Sequence, residues 1–201
     1  SLQLNAFQNY SDNNYKVYAP IVDLNTNKQI GEDWRKRFHD NYRSGGVRLE
    51  TGITNKPYAD YLLAGLIWSE NDKEVQTGAT MDAVYGGVKV KSNSFIPSVR
   101  YKKDDLFVEG LSATFYGSYN VVNTFNIDTL SQRYNWNGEF IPSTTHGEFT
   151  NTDSKIKNRE WLTNTNISYM LDMHQSLTVN HIFSSTNRKI HDKVDPENEE
   201  N

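Results

Sequence analysis

Apolar and polar side chains alternate with a period of two along most of the chain, and this pattern constrains the fold more than any other feature. In the segment 106–122, for example, Leu111 and Phe115 alternate with Ser112 and Thr114. Successive side chains of a β-strand point to opposite faces of a sheet, whereas a helix would need an i, i+3, i+4 stripe, which no segment keeps over three turns. The sequence therefore predicts an all-β protein.

The lengths of the connections indicate how the strands are arranged. We predict seven strands, at about 1–10, 46–54, 61–70, 92–101, 106–122, 158–171 and 176–186. Short segments, "NKPYAD", "KKDD" and "DMHQ", join the second strand to the third, the fourth to the fifth and the sixth to the seventh, while long connections cover 11–44, 71–91 and 123–157. Loops above ~15 residues are uncommon in compact domains. This rhythm favours antiparallel up-and-down strands over an ordinary sandwich.

The same rhythm is typical of a partial outer-membrane β-barrel with long extracellular loops. Such barrels combine short turns at one rim, long loops at the other, and strands with an apolar lipid face and a polar lumen face. The sixth strand places Trp161, Ile167, Tyr169 and Leu171 on its apolar face. At ~3.3 Å per residue and ~40° tilt, Trp161 and Tyr169 would lie ~20 Å apart along the membrane normal, which is close to the separation of two aromatic girdles.

Three residues test this arrangement in detail. We expect Tyr101 and Phe107 to mark the inner rim, on either side of the "KKDD" turn. Pro97 lies inside the fourth strand, where its missing N–H removes a hydrogen bond of the ladder. The sequence therefore predicts a bulge or a local break in pairing at Pro97.

Composition excludes several classes of protein. The chain has 201 residues, a formal charge of −4 and 36% hydrophobic residues, and its longest apolar run, "YLLAGLIW" at 61–68, is far shorter than the ~18 residues of a spanning helix. Lysine and arginine are scattered, which argues against nucleic acid as a partner. The absence of cysteine excludes disulfides and thiolate metal sites. The N-terminus lacks the pattern of a signal peptide, so we expect any export signal to have been removed or to lie outside this sequence.

Several phrases resemble a known family. They are "NAFQNYSDNNYKVYAP" at 5–20, "KRFHDNYRSGGVRLETG" at 36–52, "NKPYADYLLAGLIWSE" at 55–70, "YGGVKVKSNSFIPSVRYKKDDLFVEGLS" at 85–112 and "DTLSQRYNWNGE" at 128–139. Together they resemble the barrel of TonB-dependent outer-membrane receptors of the Bacteroidetes type. The resemblance implies active uptake of a small nutrient ligand through a barrel of about 22 strands, closed by a plug and driven by the inner-membrane TonB complex.

Measured against that family, the chain covers only part of the pattern. We find no plug, no energising box and no aromatic C-terminal strand end, and seven strands cannot close such a barrel. We therefore expect residues 1–201 to form one partial barrel segment in the cell outer membrane, in contact with the lipid bilayer. The inner-membrane complex would act through a part of the protein that is not in this chain.

No catalytic or metal-binding motif stands out, so we predict neither an enzyme nor a cofactor. The five histidines lie in distant segments without the paired spacing of a zinc site. Exposed loop aromatics are common ligand anchors, which makes Trp34, Tyr85, Tyr134 and Trp136 the candidate ligand contacts. The alternative for these four residues is that they pack the loops against each other.

Two other classes of protein remain open. A soluble secreted β-sandwich that binds a ligand or carbohydrate would bury the apolar faces against each other instead of against lipid. A secreted β-rich hydrolase is less well supported, because no pair of carboxylates or catalytic triad has a meaningful spacing.

Overall fold

Strands dominate the fold. The computed structural model of the protein describes residues 1–198. Its elements are β1 (Leu2–Ser11), β2 (Lys16–Asp23), β3 (Lys28–Lys36), β4 (Tyr42–Lys56), β5 (Ala59–Glu74), β6 (Lys89–Lys103), β7 (Leu111–Asp128), β8 (Gln132–Tyr134), β9 (Phe140–Pro142), β10 (Thr152–Met170), β11 (Ser176–Asp192) and a short 3-10 helix (Pro196–Asn198). The prediction of an all-β protein is confirmed.

Seven long strands form one antiparallel sheet in the order β1-β4-β5-β6-β7-β10-β11. Each of these strands pairs with the next sheet strand along the chain, so the predicted up-and-down arrangement is confirmed, and the seven predicted strands correspond to the seven strands of this sheet. Apart from β1, these strands are longer than predicted, up to 19 residues in β10. The sheet is open, because β1 and β11 form its two edges and do not pair with each other.

The register gives the sheet one apolar and one polar face. Residues that are paired across neighbouring strands lie on the same face, and most apolar positions of one strand fall on the same side as those of the next, with exceptions such as Val121 opposite Arg159. We call the side of the sheet that carries most of the apolar positions the apolar face. Its principal members are Leu2, Leu4, Val47, Leu49, Leu62, Leu66, Trp68, Phe95, Val99, Tyr101, Leu111, Phe115, Tyr119, Val121, Trp161, Ile167, Tyr169, Leu177, Val179 and Phe183. Thr51, Thr163, Thr165 and His181 are polar members of the same face.

At one end of the sheet, which we call the short-turn end, the strands are joined by residues 57–58, 104–110 and 171–175. Two predictions are wrong here. Phe107 is not on the apolar face of a strand but in the turn, with a positive φ of 68° and 92% exposure. Leu171 follows β10 instead of lying within it. The turn extends beyond "KKDD" because the Asp105 carboxylate accepts the Gly110 N–H at 2.8 Å, so that pairing resumes only at Leu111.

Pro97 breaks the ladder as predicted. The pairing of β6 with β7 runs to Phe95 and Val121 and resumes at Ser98 and Ser118, which leaves two residues of β6 unpaired on that side. On its other side Pro97 pairs with Leu66 of β5. The register is the same before and after the gap, so the sheet contains a break at this point and not a bulge.

The long connections lie at the opposite end, the long-loop end, and they contain secondary structure that we did not predict. Residues 12–41 include the β2–β3 hairpin, and residues 129–151 include the β8–β9 hairpin. In the first hairpin the Asp23 carboxylate accepts the N–H groups of Asn25 and Thr26 at 2.9 and 2.8 Å. Short polar side chains that bond the backbone two or three residues ahead favour such turns.

Candidate functional site

The three long connections pack together into one body. Their common core consists of Val17 and Ala19 of β2, Val84 of the segment 75–88 and Trp136 of the segment 129–151, all of which are buried. Ile21 and Tyr134 pack around these four side chains. We call the segments 12–41, 75–88 and 129–151 the loop cluster. Because each segment supplies part of the core, none of them can adopt its position without the others.

Hydrogen bonds from buried side chains fix the first two segments to each other. Gln76 is fully buried, and its side-chain oxygen accepts the N–H groups of Phe38 and His39 at 2.9 and 3.2 Å. The His39 ring lies 3.0 Å from the carbonyl oxygen of Val88 through Nε2 and 3.6 Å from the Glu74 carboxylate through Nδ1. These contacts anchor the loop cluster to the ends of β5 and β6.

A second set of hydrogen bonds joins the last two segments through Glu148. Its carboxylate accepts the N–H groups of Gly86 and Gly87 at 2.8 and 2.6 Å. A Cβ atom at Gly86 would lie 2.3 Å from the Tyr134 ring, so only glycine allows this close approach. The pKa of Glu148 is raised by its burial, against the opposing effect of the two backbone hydrogen bonds, and the nearby Asp128 raises it further.

Asp128 positions Glu148. It is the last residue of β7, it is 2% exposed, and its two carboxylate oxygens accept the N–H groups of residues 148, 149 and 150 at 2.6 to 2.7 Å. A carboxylate that accepts several backbone N–H groups makes strong, charge-assisted hydrogen bonds. The segment that carries Glu148 is therefore held directly against the end of the sheet.

A cavity of about 210 Å³ lies between the three segments. Its lining includes the aromatic side chains of Tyr85, Tyr134 and Trp136 and the charged side chains of Asp82, Arg133 and Glu148. The Arg133 guanidinium donates to the carbonyl oxygen of Leu24 at 2.6 Å and to the side-chain oxygen of Asn27 at 3.4 Å. This arrangement can hold a small ligand by hydrogen bonds, charge and contact with aromatic rings.

The structure brings together three of the four predicted ligand contacts. Tyr85, Tyr134 and Trp136 line the cavity, and Trp136 donates its indole N–H to the Met81 carbonyl at 2.9 Å. Trp136 and Tyr85 are only 2% and 5% exposed, so they also pack the loop cluster. Trp34 lies elsewhere, 58% exposed on β3, where its ring meets Tyr18 edge-on at 5.8 Å.

The charged residues of the cavity were not predicted. Asp82 and Arg133 lie in segments without a recognisable motif, and Glu148 follows a stretch of turn residues. The adjacent glycines 86 and 87 are a signal in the sequence, because glycine permits close contact with an acceptor group. Their partner lies about 60 residues further along the chain, which no local pattern indicates.

A wider groove of about 720 Å³ lies where the apolar face meets the charged outer part of the sheet. Trp68 and Phe125 line it, together with Arg43, Asp72 and Lys91. Lys91 and Asp72 form an ion pair at 2.9 Å, so these two charges already satisfy each other. The groove is wider than the cavity of the loop cluster and contains none of the predicted ligand contacts.

Two kinds of feature are absent from residues 1–198. This part of the chain contains no group of three or more His, Cys, Asp or Glu side chains placed to hold a metal ion. It also contains no helix that is long and apolar enough to cross a membrane.

The fold defines the chain as an all-β protein built on one open antiparallel sheet with a packed loop cluster at one end. The sequence matches no family model, and no curated protein and no solved structure is significantly similar to it.

Proposed function

We propose that this chain is a wall segment of an outer-membrane β-barrel, in a TonB-dependent receptor that takes up a nutrient ligand and catalyses no reaction. The observation that carries the proposal is the uncovered apolar face. It extends across all seven strands, and no second layer of residues 1–198 packs against it. Leu4, Ile167 and Val179, for example, are 65%, 46% and 57% exposed. Exposed apolar patches of this extent mark a contact with lipid or with another protein.

The aromatic residues of the apolar face support contact with a bilayer. At the border nearer the long-loop end, Trp68 pairs with Phe95, and Tyr119 pairs with Trp161 at a ring distance of 4.5 Å. At the border nearer the short-turn end lie Tyr101 and Tyr169. Amphipathic aromatic rings concentrate at the two interfaces of a membrane, so two such borders are what a lipid-facing wall requires.

The opposite face has the chemistry of a water-filled lumen. Glu50 of β4 forms an ion pair with Arg100 of β6, two strands away, across Gly65 of β5. Arg48 is within 3.5 Å of the same carboxylate. Charged groups are costly to bury without water or a partner, so this face would point into the barrel while the apolar face points to lipid.

In this proposal the two edges of the sheet are where the barrel continues. The outer edges of β1 and β11 offer unpaired backbone groups, and backbone groups at membrane depth must be hydrogen-bonded. Further strands would pair there, and the loop cluster would face the outside of the cell. The plug and the contact with the energising complex would belong to other parts of the protein.

The tryptophans provide a direct test of the lipid contact. Of the four in the chain, Trp68 and Trp161 lie on the apolar face, and Trp34 and Trp136 lie in the loop cluster. Four variants of the intact receptor, each with every tryptophan except one of these four replaced by Phe, would be reconstituted in vesicles of lipids brominated on their acyl chains. We expect bromine to quench Trp68 and Trp161 strongly and Trp34 weakly. Equal quenching of Trp34 and Trp161, or quenching of neither, would contradict the lipid-facing assignment.

The receptor part of the proposal needs a separate experiment. An antibody against this chain would be used on fractionated cells to record both compartment and apparent mass. We expect a band several times heavier than 23.1 kDa in the outer-membrane fraction. A water-soluble band near 23.1 kDa would favour the secreted β-sandwich that binds a ligand or carbohydrate.

A further inference from the structure

We propose that the cavity of the loop cluster binds a small organic cation, with the ammonium group beside the Glu148 carboxylate and against the aromatic rings. The inference goes beyond the proposed transport function. It uses only the geometry of the loop cluster, so it applies equally to a barrel and to a water-soluble binding protein.

The aromatic residues provide the first argument. Tyr85, Tyr134 and Trp136 line the same cavity and come from two different segments of the chain. The Trp136 N–H is bonded to Met81, and the Tyr134 hydroxyl donates to the Gln132 side-chain oxygen at 2.7 Å. With these polar groups occupied, the rings contribute mainly their π-systems, which attract alkylammonium groups.

The balance of charge provides the second argument. Two carboxylates, Asp82 and Glu148, line the cavity, and Asp128 lies directly behind Glu148. Arg133 is the positively charged member of the lining, and it is exposed and engaged by two oxygen atoms of the β2–β3 turn. The cavity therefore has more negative than positive charge, and a cationic ligand would correct the imbalance.

The two tyrosines of the cavity, Tyr85 and Tyr134, both have a raised pKa, and nearby carboxylates contribute to both shifts. Burial raises the pKa of Tyr85, and the charges of Asp128 and Glu148 raise it further. Burial also raises the pKa of Tyr134, with an additional contribution from Glu148. His39 acts on Glu148 in the opposite direction but does not line the cavity. Burial, the larger cause, disfavours any charged group, so only the contribution of the carboxylates favours a bound cation.

Size restricts the ligand further. A cavity of about 210 Å³ is smaller than the ~300 to 1,000 Å³ of typical pockets for drug-sized ligands. It can hold an ammonium group with a short chain. A metal ion is a poorer match, because no group of three acidic or histidine side chains is found in residues 1–198.

The experiment compares two probes of the same shape. Choline and its neutral isostere 3,3-dimethylbutan-1-ol would be titrated into the purified full chain by calorimetry, at ionic strength matched with sodium chloride. We expect choline to bind at least about tenfold more tightly, because only choline has the charge that aromatic rings and carboxylates attract. Equal affinity, or binding of neutral saccharides without binding of choline, would overturn the proposal.

Matched variants locate the site. Glu148→Gln should weaken choline binding by about tenfold, and Asp82→Asn, at an exposed position that should not affect folding, by about threefold. Asp33→Asn removes the same charge from the loop cluster outside the cavity and should leave affinity within about twofold. An equal effect of the Asp82 and Asp33 variants would show that only overall charge matters, and would overturn the assignment.

The pH dependence of choline binding adds a further readout. Because only the deprotonated form of Glu148 attracts a cation, choline affinity should rise as the pH increases through the raised pKa of Glu148, and Glu148→Gln should remove this rise. An affinity that does not rise above pH 4.5, or a rise that persists in Glu148→Gln, would contradict the role of Glu148.

Discussion

The proposed orientation of the sheet predicts opposite effects of arginine at two neighbouring residues of β7. Phe115 lies on the apolar face and Thr114 on the polar face. Phe115 is four residues from Leu111 at the start of the strand and four residues from Tyr119 in the outer aromatic border. At ~3.3 Å per residue and ~40° tilt, it would lie ~10 Å from each of these levels, near the middle of an apolar band ~25 Å tall. Leu111 itself would lie at the rim.

The magnitude follows from this depth. Arginine on the lipid face costs ~2 to 4 kcal/mol at the bilayer midplane, and this is the loss of unfolding free energy expected for Phe115→Arg relative to Phe115→Leu. The comparison with Phe115→Leu corrects for the unfolding free energy that is lost when the aromatic ring is removed. Thr114→Arg would place its charge in a wet lumen, where the free energy should change by less than ~1 kcal/mol.

Urea titration of the vesicle-embedded protein, followed by tryptophan fluorescence, would measure these differences. Equal costs for Phe115→Arg and Thr114→Arg would refute the assignment of the two faces. A larger cost at Thr114 would reverse the assignment. A water-soluble sandwich would also reject arginine at Phe115, but it would need no bilayer to stay dispersed.

Three further predictions concern the loops and turns. Asp128→Asn should weaken the hydrogen bonds to residues 148–150 and cost about 1.5 to 3 kcal/mol, measured as faster amide exchange in that segment; unchanged exchange would contradict the anchoring role. Phe107→Gly should raise the unfolding free energy by about 1 kcal/mol because it relieves a positive φ of 68°, whereas Phe107→Ala should not, and equal effects would exclude backbone strain. The raised pKa of Glu148 means that its contribution to stability is fully present below its ordinary pKa of 4.5 and is lost as the pH rises through the folded value. Thermal unfolding of Glu148→Gln should therefore depend less on pH in this range than that of the wild type, and identical profiles would contradict the shift.

The sheet was predictable because its determinants are local. Period-two alternation and the contrast of short and long connections indicated all seven sheet strands. The error at Phe107 has a physical cause. The alternation continues through this residue, but hydrogen bonds within the turn, from Gly110 to Asp105 and from Leu106 to Leu111, keep the segment 104–110 out of the sheet.

The loop cluster was predictable only in part. The strands of the β8–β9 hairpin have only three residues each, and contacts between Val17, Val84 and Trp136 of three distant segments hold both this hairpin and the β2–β3 hairpin in place. Aromatic residues could be chosen in the sequence as candidate ligand contacts because their chemistry is distinctive, and three of the four chosen line the same cavity. The role of Glu148 depends on its contact with Gly86 and Gly87, which the fold alone creates.

The gap at Pro97 has a mechanical consequence for the sheet. The gap separates the first four strands of the sheet, β1-β4-β5-β6, from the last three, β7-β10-β11. Beside it, Ser118 Oγ and Asn120 Oδ1 are buried without a hydrogen-bond partner in residues 1–198. Fewer backbone hydrogen bonds resist tension perpendicular to the strands at the gap than at the neighbouring junctions. The sheet should therefore separate more easily at this point. Under a force applied between β5 and β10, we expect β6 and β7 to separate before the two neighbouring junctions, as a distinct early step in a single-molecule extension trace.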